Sequence, residues 1–212
     1  MTVQQRIVVA NISLSLDGRI AGPGGEYDMS WIVPHAVSDG ARTHMVNVTR
    51  TATTALLGRK NYQGFAGYWP AVADDDNVHS DDGAFARWLD DVEKIVFSTT
   101  LDRVDWDDAR LATADPATVV KQLRQREGGD IVVLASSTVI RQLLDAGEVD
   151  RLSITLCPEL LGGGAQLFTE GLAASSWSPI ATSTTASGAL CLLYERISAG
   201  RQQRNHPFSN RP

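Results

Sequence analysis

The run Asp130-Ile131-Val132-Val133-Leu134-Ala135 constrains the fold more than any other stretch of this sequence. After the aspartate every position is apolar, with none of the alternation that a half-exposed strand shows. Such a strand is covered on both faces, the habit of a parallel sheet with helices on each side. Its flanks agree. Upstream, Asp115-Pro116 marks a helix start, with the aspartate as N-cap and the proline in the first helical position. Val119, Val120 and Leu123 fall on one face of that helix, and Gly128-Gly129 ends it. Downstream, Ser136 or Ser137 caps a second helix carrying Val139, Ile140, Leu143 and Leu144 along one side, closed by Gly147. A further strand follows at 151–157.

The same alternation runs back to the N-terminus. Residues 6–14 are apolar and β-branched and read as a strand. Ser15-Leu16-Asp17-Gly18 is a turn and Gly22-Pro23-Gly24-Gly25 a loop. That loop is no dinucleotide fingerprint, because Tyr27 stands where the last glycine would be. Residues 34–51 contain only Gly40 as a breaker and predict one helix. Next come a strand at 54–58, a helix after Arg59, and an acidic loop through Asp74, Asp75, Asp76, Asp81 and Asp82. A helix over 83–91 and a strand over 94–98 follow. Near the C-terminus, 176–183 and 190–197 flank a turn at 184–189, which signals a hairpin. The expected fold is α/β: a central, mainly parallel sheet finished by an antiparallel C-terminal hairpin, with helices on both faces. One domain is expected over 1–198, then a disordered polar tail at 199–212 with almost nothing to bury.

Charge and composition exclude several function classes. The net charge is −6, with no basic stripe outside the tail, which argues against nucleic acid. No apolar run approaches the roughly 20 residues that span a bilayer. The polar N-terminus leads straight into a strand, so no secretory signal is expected. Cys157 and Cys191 lie in apolar strand segments and read as buried free thiols of a reducing cytoplasm. His35, His44, His79 and His206 show no ligand spacing, so no metal site is expected. Neither a Gly-x-Ser-x-Gly elbow nor a phosphate-loop lysine motif occurs.

In open parallel sheets ligands bind beyond the carboxyl ends of the strands. Leu57-Gly58-Arg59-Lys60 places a basic residue where a strand hands over to a helix. The free backbone N–H groups of a helix start, beside a guanidinium able to grip two phosphate oxygens, form an anion site. A tight structural turn is the alternative reading. Ser98-Thr99-Thr100 ends another strand with neutral donors, and Ala135-Ser136-Ser137-Thr138 opens a helix whose dipole favours an anion. Gly162-Gly163-Gly164 either lets backbone approach a ligand closely or forms a flexible loop.

These segments resemble the dihydrofolate reductase family, and within it the riboflavin-biosynthesis reductases related to the C-terminal domain of the deaminase/reductase. The resemblance rests on Ser15-Leu16-Asp17-Gly18-Arg19-Ile20-Ala21, on Leu57 through Phe65 with Tyr68-Trp69-Pro70, on 94–99 and on 131–168. It covers about 6–197 in order. It implies an NADPH-binding, homodimer-prone enzyme that reduces a small heterocycle of pyrimidine or pteridine type. By position, Arg59 with its neighbours Gly58 and Lys60, together with Ser98, Thr99 and Thr100, would hold the adenosine 2′-phosphate. Ala135, Ser136, Ser137 and Thr138 would take the pyrophosphate. Ala10, Ile20 and Ala21 would meet the nicotinamide, with Gly162 and Gly163 beside it. Residues 34–50, with Trp31 before them, would line the substrate pocket.

Some positions depart from that pattern. The family commonly has two glycines where Ala135-Ser136 stand. The riboflavin enzymes carry a glutamate at the position of Leu134 and tend to carry lysine at that of Asn11, which would face substrate. A buried carboxylate is wanted on the pocket helix, and Asp39 is the only acid there; Glu26 and Asp28 are loop alternatives. A solvated surface acid is the usual state of each, so no proton donor is assigned and water can serve. A non-catalytic protein of the same fold, binding a nucleotide or ring compound, is the alternative function.

Overall fold

The computed structural model describes residues 6–25 and 27–197. Glu26 and the tail expected at 199–212 lie outside the described residues. One eight-stranded sheet organises the rest. Its strands are β1 (Val8–Ser15), β2 (Ala52–Gly58), β3 (Glu93–Phe97), β4 (Ala109–Leu111), β5 (Asp130–Leu134), β6 (Arg151–Cys157), β7 (Trp177–Thr184) and β8 (Leu190–Arg196). They lie in the order β4-β3-β2-β5-β1-β6-β8-β7. The first six are parallel, while β8 runs antiparallel to both β6 and β7. The expected α/β fold with an antiparallel C-terminal hairpin is the fold observed. No helix among the described residues is long and apolar enough to cross a membrane.

Alternation along the strands divides the core in two. On one face Val8, Ala10, Ile12, Ile131 and Val133 pack against α6 (Pro116–Leu123) and α7 (Ser137–Asp145). On the other, Val9, Ala55, Leu57, Val132 and Leu134 meet α2 (Asp39–Thr49), α3 (Arg59–Ala66) and α5 (Ser80–Asp91). Because β5 is buried on both faces, neither could be polar, and its apolar run follows.

Three local expectations need correction. The single helix expected over 34–51 is two helices, α1 (Val33–Ala36) and α2. Ser38 is the reason: its hydroxyl donates to the His35 carbonyl at 2.6 Å while its backbone is extended, closing α1 and starting α2. The helix expected from 83 begins at Ser80, with the His79 ring accepting from the Asp81 amide. The acidic pair Asp81 and Asp82, read as loop, instead suits the positive end of that helix. Strand β4 was not expected; at three residues on the sheet edge it has no periodicity to read. A short helix, α4 (Trp69–Ala73), bridges α3 and α5.

Candidate functional site

The carboxyl ends of β3, β2, β5, β1 and β6 fall side by side on one edge of the sheet. Phe97 is in register with Gly58, so Ser98-Thr99-Thr100 neighbours Gly58-Arg59. The link from β2 to β5 is made by side chains. The Gly58 amide donates to the Ser136 hydroxyl at 2.8 Å, and the Asn61 amide group donates to the same oxygen at 3.1 Å. Asn61 also reaches the Leu134 carbonyl at 3.0 Å, to which Ser136 itself donates at 2.8 Å. Ser136 is buried, so its hydroxyl belongs to this frame. What the turn can offer a ligand is the free N–H groups opening α7, with Ser137 half-buried and Thr138 exposed.

Arg59 begins α3 half-buried. Its guanidinium donates to Gln63 at 3.1 Å and makes no ion pair among the described residues. That leaves its charge uncompensated beside the β3 and β5 turns. The Ser98 hydroxyl accepts from the amides of Thr100 and Leu101 at 3.1 and 2.9 Å, which fixes the turn and leaves Thr99 and Thr100 exposed. Lys60 lies over the Tyr27 ring, 5.8 Å from its centre, so the loop after β1 reaches across to α3.

Ala135 occupies the left-handed region at φ 47, although it is not a glycine. That conformation costs an L-residue about 1–2 kcal/mol. Ala135→Gly is expected to stabilise the fold by about 1 kcal/mol after the entropy of glycine is deducted, raising the melting temperature by roughly 2–4 °C. A melt of the variant at or below that of the parent would contradict this.

On the β1–β6 side the edge is held by Asp17. Its carboxylate accepts from the Ser15 hydroxyl at 2.6 Å and from the Leu161 and Gly162 amides at 3.2 and 3.0 Å. Arg19 lies 3.3 Å away and also donates to the Gly164 carbonyl at 2.6 Å. The Ser15 hydroxyl first, then the two amides and Arg19, hold this carboxyl well below the usual aspartate range. A depressed folded-state pKa adds stability that is present above the unfolded value and lost as pH falls below it. From about pH 5 to about pH 3, the melting temperature of the parent should therefore drop more steeply than that of Asp17→Asn. Parallel curves would show that Asp17 is not ionised in this frame.

The glycines of that loop differ in purpose. A β-carbon on Gly164 would lie 2.1 Å from the Ala21 carbonyl, so this glycine is required by protein packing. Gly162, at φ +67, would point a β-carbon into open space. Its amide is held by Asp17, and only the side-chain position is open. Of the nicotinamide-side residues, Ala10 is 0% exposed, Ala21 is buried and Ile20 is half-buried. Asp28 is engaged by the Gly24 amide at 3.0 Å and sits where a β-carbon of Gly22 would fall, while the Trp31 indole donates to the Asp28 carbonyl at 3.1 Å. The Asp39 side chain is 87% exposed and lies 3.4 Å from His79. It borders an open groove of about 480 Å³ between α2 and the β7–β8 pair, lined also by His44 and Cys191 but by none of the residues expected to meet cofactor.

Two histidines, His35 buried and His44 half-buried, make side-chain bonds that no spacing in the sequence marks. His35 is 5% exposed and joins the Ser187 hydroxyl at 3.0 Å to Glu159 at 3.1 Å. It ties α1 to the loop after β6 and to the β7–β8 turn. His44 meets the Ser153 hydroxyl at 2.8 Å, and Asn11 donates to that same oxygen at 2.9 Å. Burial pushes the His44 pKa down. Cys157 and Cys191 are free and buried, as expected; burial and then the Glu159 charge push the Cys157 thiol up to about 11.

Known proteins with this arrangement share its fold. The putative riboflavin biosynthesis protein of Shewanella sp. PV-4 superposes with a TM-score of 0.66 at 22% identity, over 91% of this chain and 99% of that one. Dihydrofolate reductase from Enterococcus faecalis, solved with NADP(H), gives 0.58 at 18%, over 92% and 98%. The deaminase/reductase of Thermotoga maritima gives 0.60 at 14%, this chain covering 57% of it. The fold is thus dihydrofolate reductase-like. In sequence, the uncharacterized protein YyaP of Bacillus subtilis is 26% identical over 192 residues, 91% of this chain and 96% of that one. The model of the RibD C-terminal domain matches residues 6–190, from the approach to β1 as far as the start of β8. With a match of that extent on a sheet of that order, the chain belongs to the RibD C-terminal domain family.

Proposed function

We propose that this protein is an NADPH-dependent reductase that reduces a small heterocycle of pyrimidine or pteridine type. The observation that carries the reading is the uncompensated Arg59 guanidinium set between the Ser98-Thr99-Thr100 turn and the start of α7. The donor set fits a phosphorylated nicotinamide carrier: a planar cation with hydroxyls for the 2′-phosphate, helix amides for the pyrophosphate, and the open side-chain position of Gly162 for close approach of the ring. The carrier, when bound, supplies the hydride. The chain supplies position. Arg59 and Thr99 anchor one end, α7 the middle, and the Asp17-held glycine loop the other. The loop closed on Asp28 reaches α3 through Tyr27 and Lys60, where it would shield a bound carrier from water. Asp28 is committed to the Gly24 amide and Asp39 is solvated, so the proton comes from water.

The reading extends to a homodimer, with β7, whose residues Ser178 through Thr184 are exposed, as the contact. It also places the enzyme in the cytoplasm, where its two free thiols stay reduced. A non-catalytic ring-binding protein is favoured by one observation: no buried carboxylate lies on α2.

Titrating NADPH against a thermal melt tests the cofactor. At 100 times Kd the fold should gain about 2.7 kcal/mol, a rise of roughly 5–10 °C. No shift with NADPH or NADH would remove the reductase reading. Loss of nicotinamide absorbance in a screen of oxidised heterocycles separates enzyme from binder.

A further inference from the structure

Among the described residues, the loop after β6 is tied almost wholly to one side. The Glu159 carbonyl accepts from the Leu16 amide and the Ala165 carbonyl from the Ile20 amide, both at 2.8 Å, and Asp17 takes the amides of Leu161 and Gly162. All of these partners belong to the segment just after β1. One side chain of the loop reaches the other way. The Glu159 carboxyl group meets Nε2 of His35, on α1, at 3.1 Å.

His35 is placed to hold it. It is the one buried residue of the four in α1, so that helix is anchored through a single side chain. The other ring nitrogen, Nδ1, meets the Ser187 hydroxyl at 3.0 Å. Ser187 is fixed in turn: its hydroxyl pairs at 2.9 Å with that of buried Thr185, which accepts from the Ala189 amide at 3.1 Å and frames the β7–β8 turn. Pro158 lies against the same turn, 3.7 Å from where a β-carbon of Gly188 would fall. The chain of contacts from Thr185 to Glu159 thus joins three segments far apart in sequence. A loop held on one side can swing about that side, and the second tie removes the freedom. Order set before a ligand arrives costs nothing at binding.

Resting on the reductase reading, we propose that His35 is a positioning residue for the nicotinamide end of the cradle. Through Glu159 it holds the glycine loop where Gly162 would meet the ring, and through Ser187 the C-terminal hairpin sets His35. The hairpin thereby shapes cofactor binding without touching the carrier. The adenosine end is built on the turns after β2, β3 and β5 and shares none of these contacts. The two ends of the carrier should therefore respond differently when the chain of contacts is cut.

The test titrates NADPH and its adenosine fragment, 2′,5′-ADP, by calorimetry into the full chain and into Glu159→Ala, Ser187→Ala and His35→Ala. Each variant should weaken NADPH about three- to tenfold, the loss of one partly buried hydrogen bond, and leave 2′,5′-ADP within about twofold. Glu159→Gln, which keeps an acceptor for the ring, should bring NADPH back to within about twofold of the parent. Because the three side chains act as one unit, Glu159→Ala combined with Ser187→Ala should weaken NADPH no further than the larger single change. Amide exchange at 161–164 should quicken in each variant, with 98–100 and 136–139 unchanged. Equal loss of both ligands, undiminished NADPH binding in Glu159→Ala and Ser187→Ala, additive loss in the double variant, or unaltered exchange at 161–164 overturns the assignment. Should His35→Ala fail to fold, the other two variants decide. A parent that does not bind NADPH removes the reductase reading and the cofactor role with it. Exchange at 161–164 in the ligand-free protein still reads whether His35 holds the loop, and no change there overturns that as well.

Discussion

Replacing Lys94 by methionine is expected to lower the unfolding free energy by about 3–5 kcal/mol, a fall of roughly 10 °C in melting temperature. Lys94 is 0% exposed, yet among the described residues no carboxylate pairs with it. Its ammonium group donates to the carbonyls of Leu89 and Asp90 at 2.8 Å and of Val92 at 2.9 Å, at the C-terminal end of α5. The last carbonyls of a helix have no partner within it and carry the negative end of its dipole. One cation with three donors answers all three, and the Trp106 ring, 4.9 Å from Nζ, covers it. Burial lowers the lysine pKa, against the opposing pull of Asp108 and Asp90, and the site remains occupied because the carbonyls converge on it. Methionine keeps the volume and removes every donor, orphaning three buried acceptors at about 1–3 kcal/mol each before relaxation. Arginine should not rescue it, because a planar fork cannot meet three converging carbonyls. Denaturant unfolding gives the number; a loss under about 1 kcal/mol would show that water replaces the ammonium group.

Arg59→Ala should weaken NADPH by roughly 10- to 150-fold and leave NADH within about threefold. A bidentate, charge-assisted contact to phosphate is worth about 1.5–3 kcal/mol, and only NADPH carries the phosphate. The fold should be little affected, since among the described residues the guanidinium bonds only to neutral Gln63 within its own helix. Equal weakening of both cofactors would mean that Arg59 does not read the 2′-phosphate.

Much of this edge was legible before any coordinates, for a physical reason. Strand ends and helix starts are announced locally: Asp115 accepts from the Thr118 amide as an N-cap with Pro116 behind it, and β6 spans the range its apolar run marks. Parallel pairing then brings such ends together, so Gly58, Ser98 and Ser136 could be expected on one edge. What could not be read depends on partners distant in sequence. Ser136 looks like any helix cap, and only contact with Gly58 and Asn61 shows its hydroxyl committed to the frame. Gly162 and Gly164 are chemically identical in the sequence, and packing against Ala21 alone separates them. Lys94 reads as the polar start of a strand until α5 ends against it. Asn11 reads as a departure from a family habit, and only its register with Ser153 and the approach of His44 show the hydrogen-bonded group it belongs to.

The central claim is that the neighbouring ends of β3, β2 and β5 form one cradle for a phosphorylated nicotinamide carrier. Amide hydrogen exchange on the full chain, with and without saturating NADPH, tests it most directly. Slower exchange should appear together at 98–100, 59–61 and 136–139, with the Asp17-held glycine loop at 161–164 following. Unchanged exchange at those three turns, or protection confined to the groove between α2 and the β7–β8 pair, would contradict it.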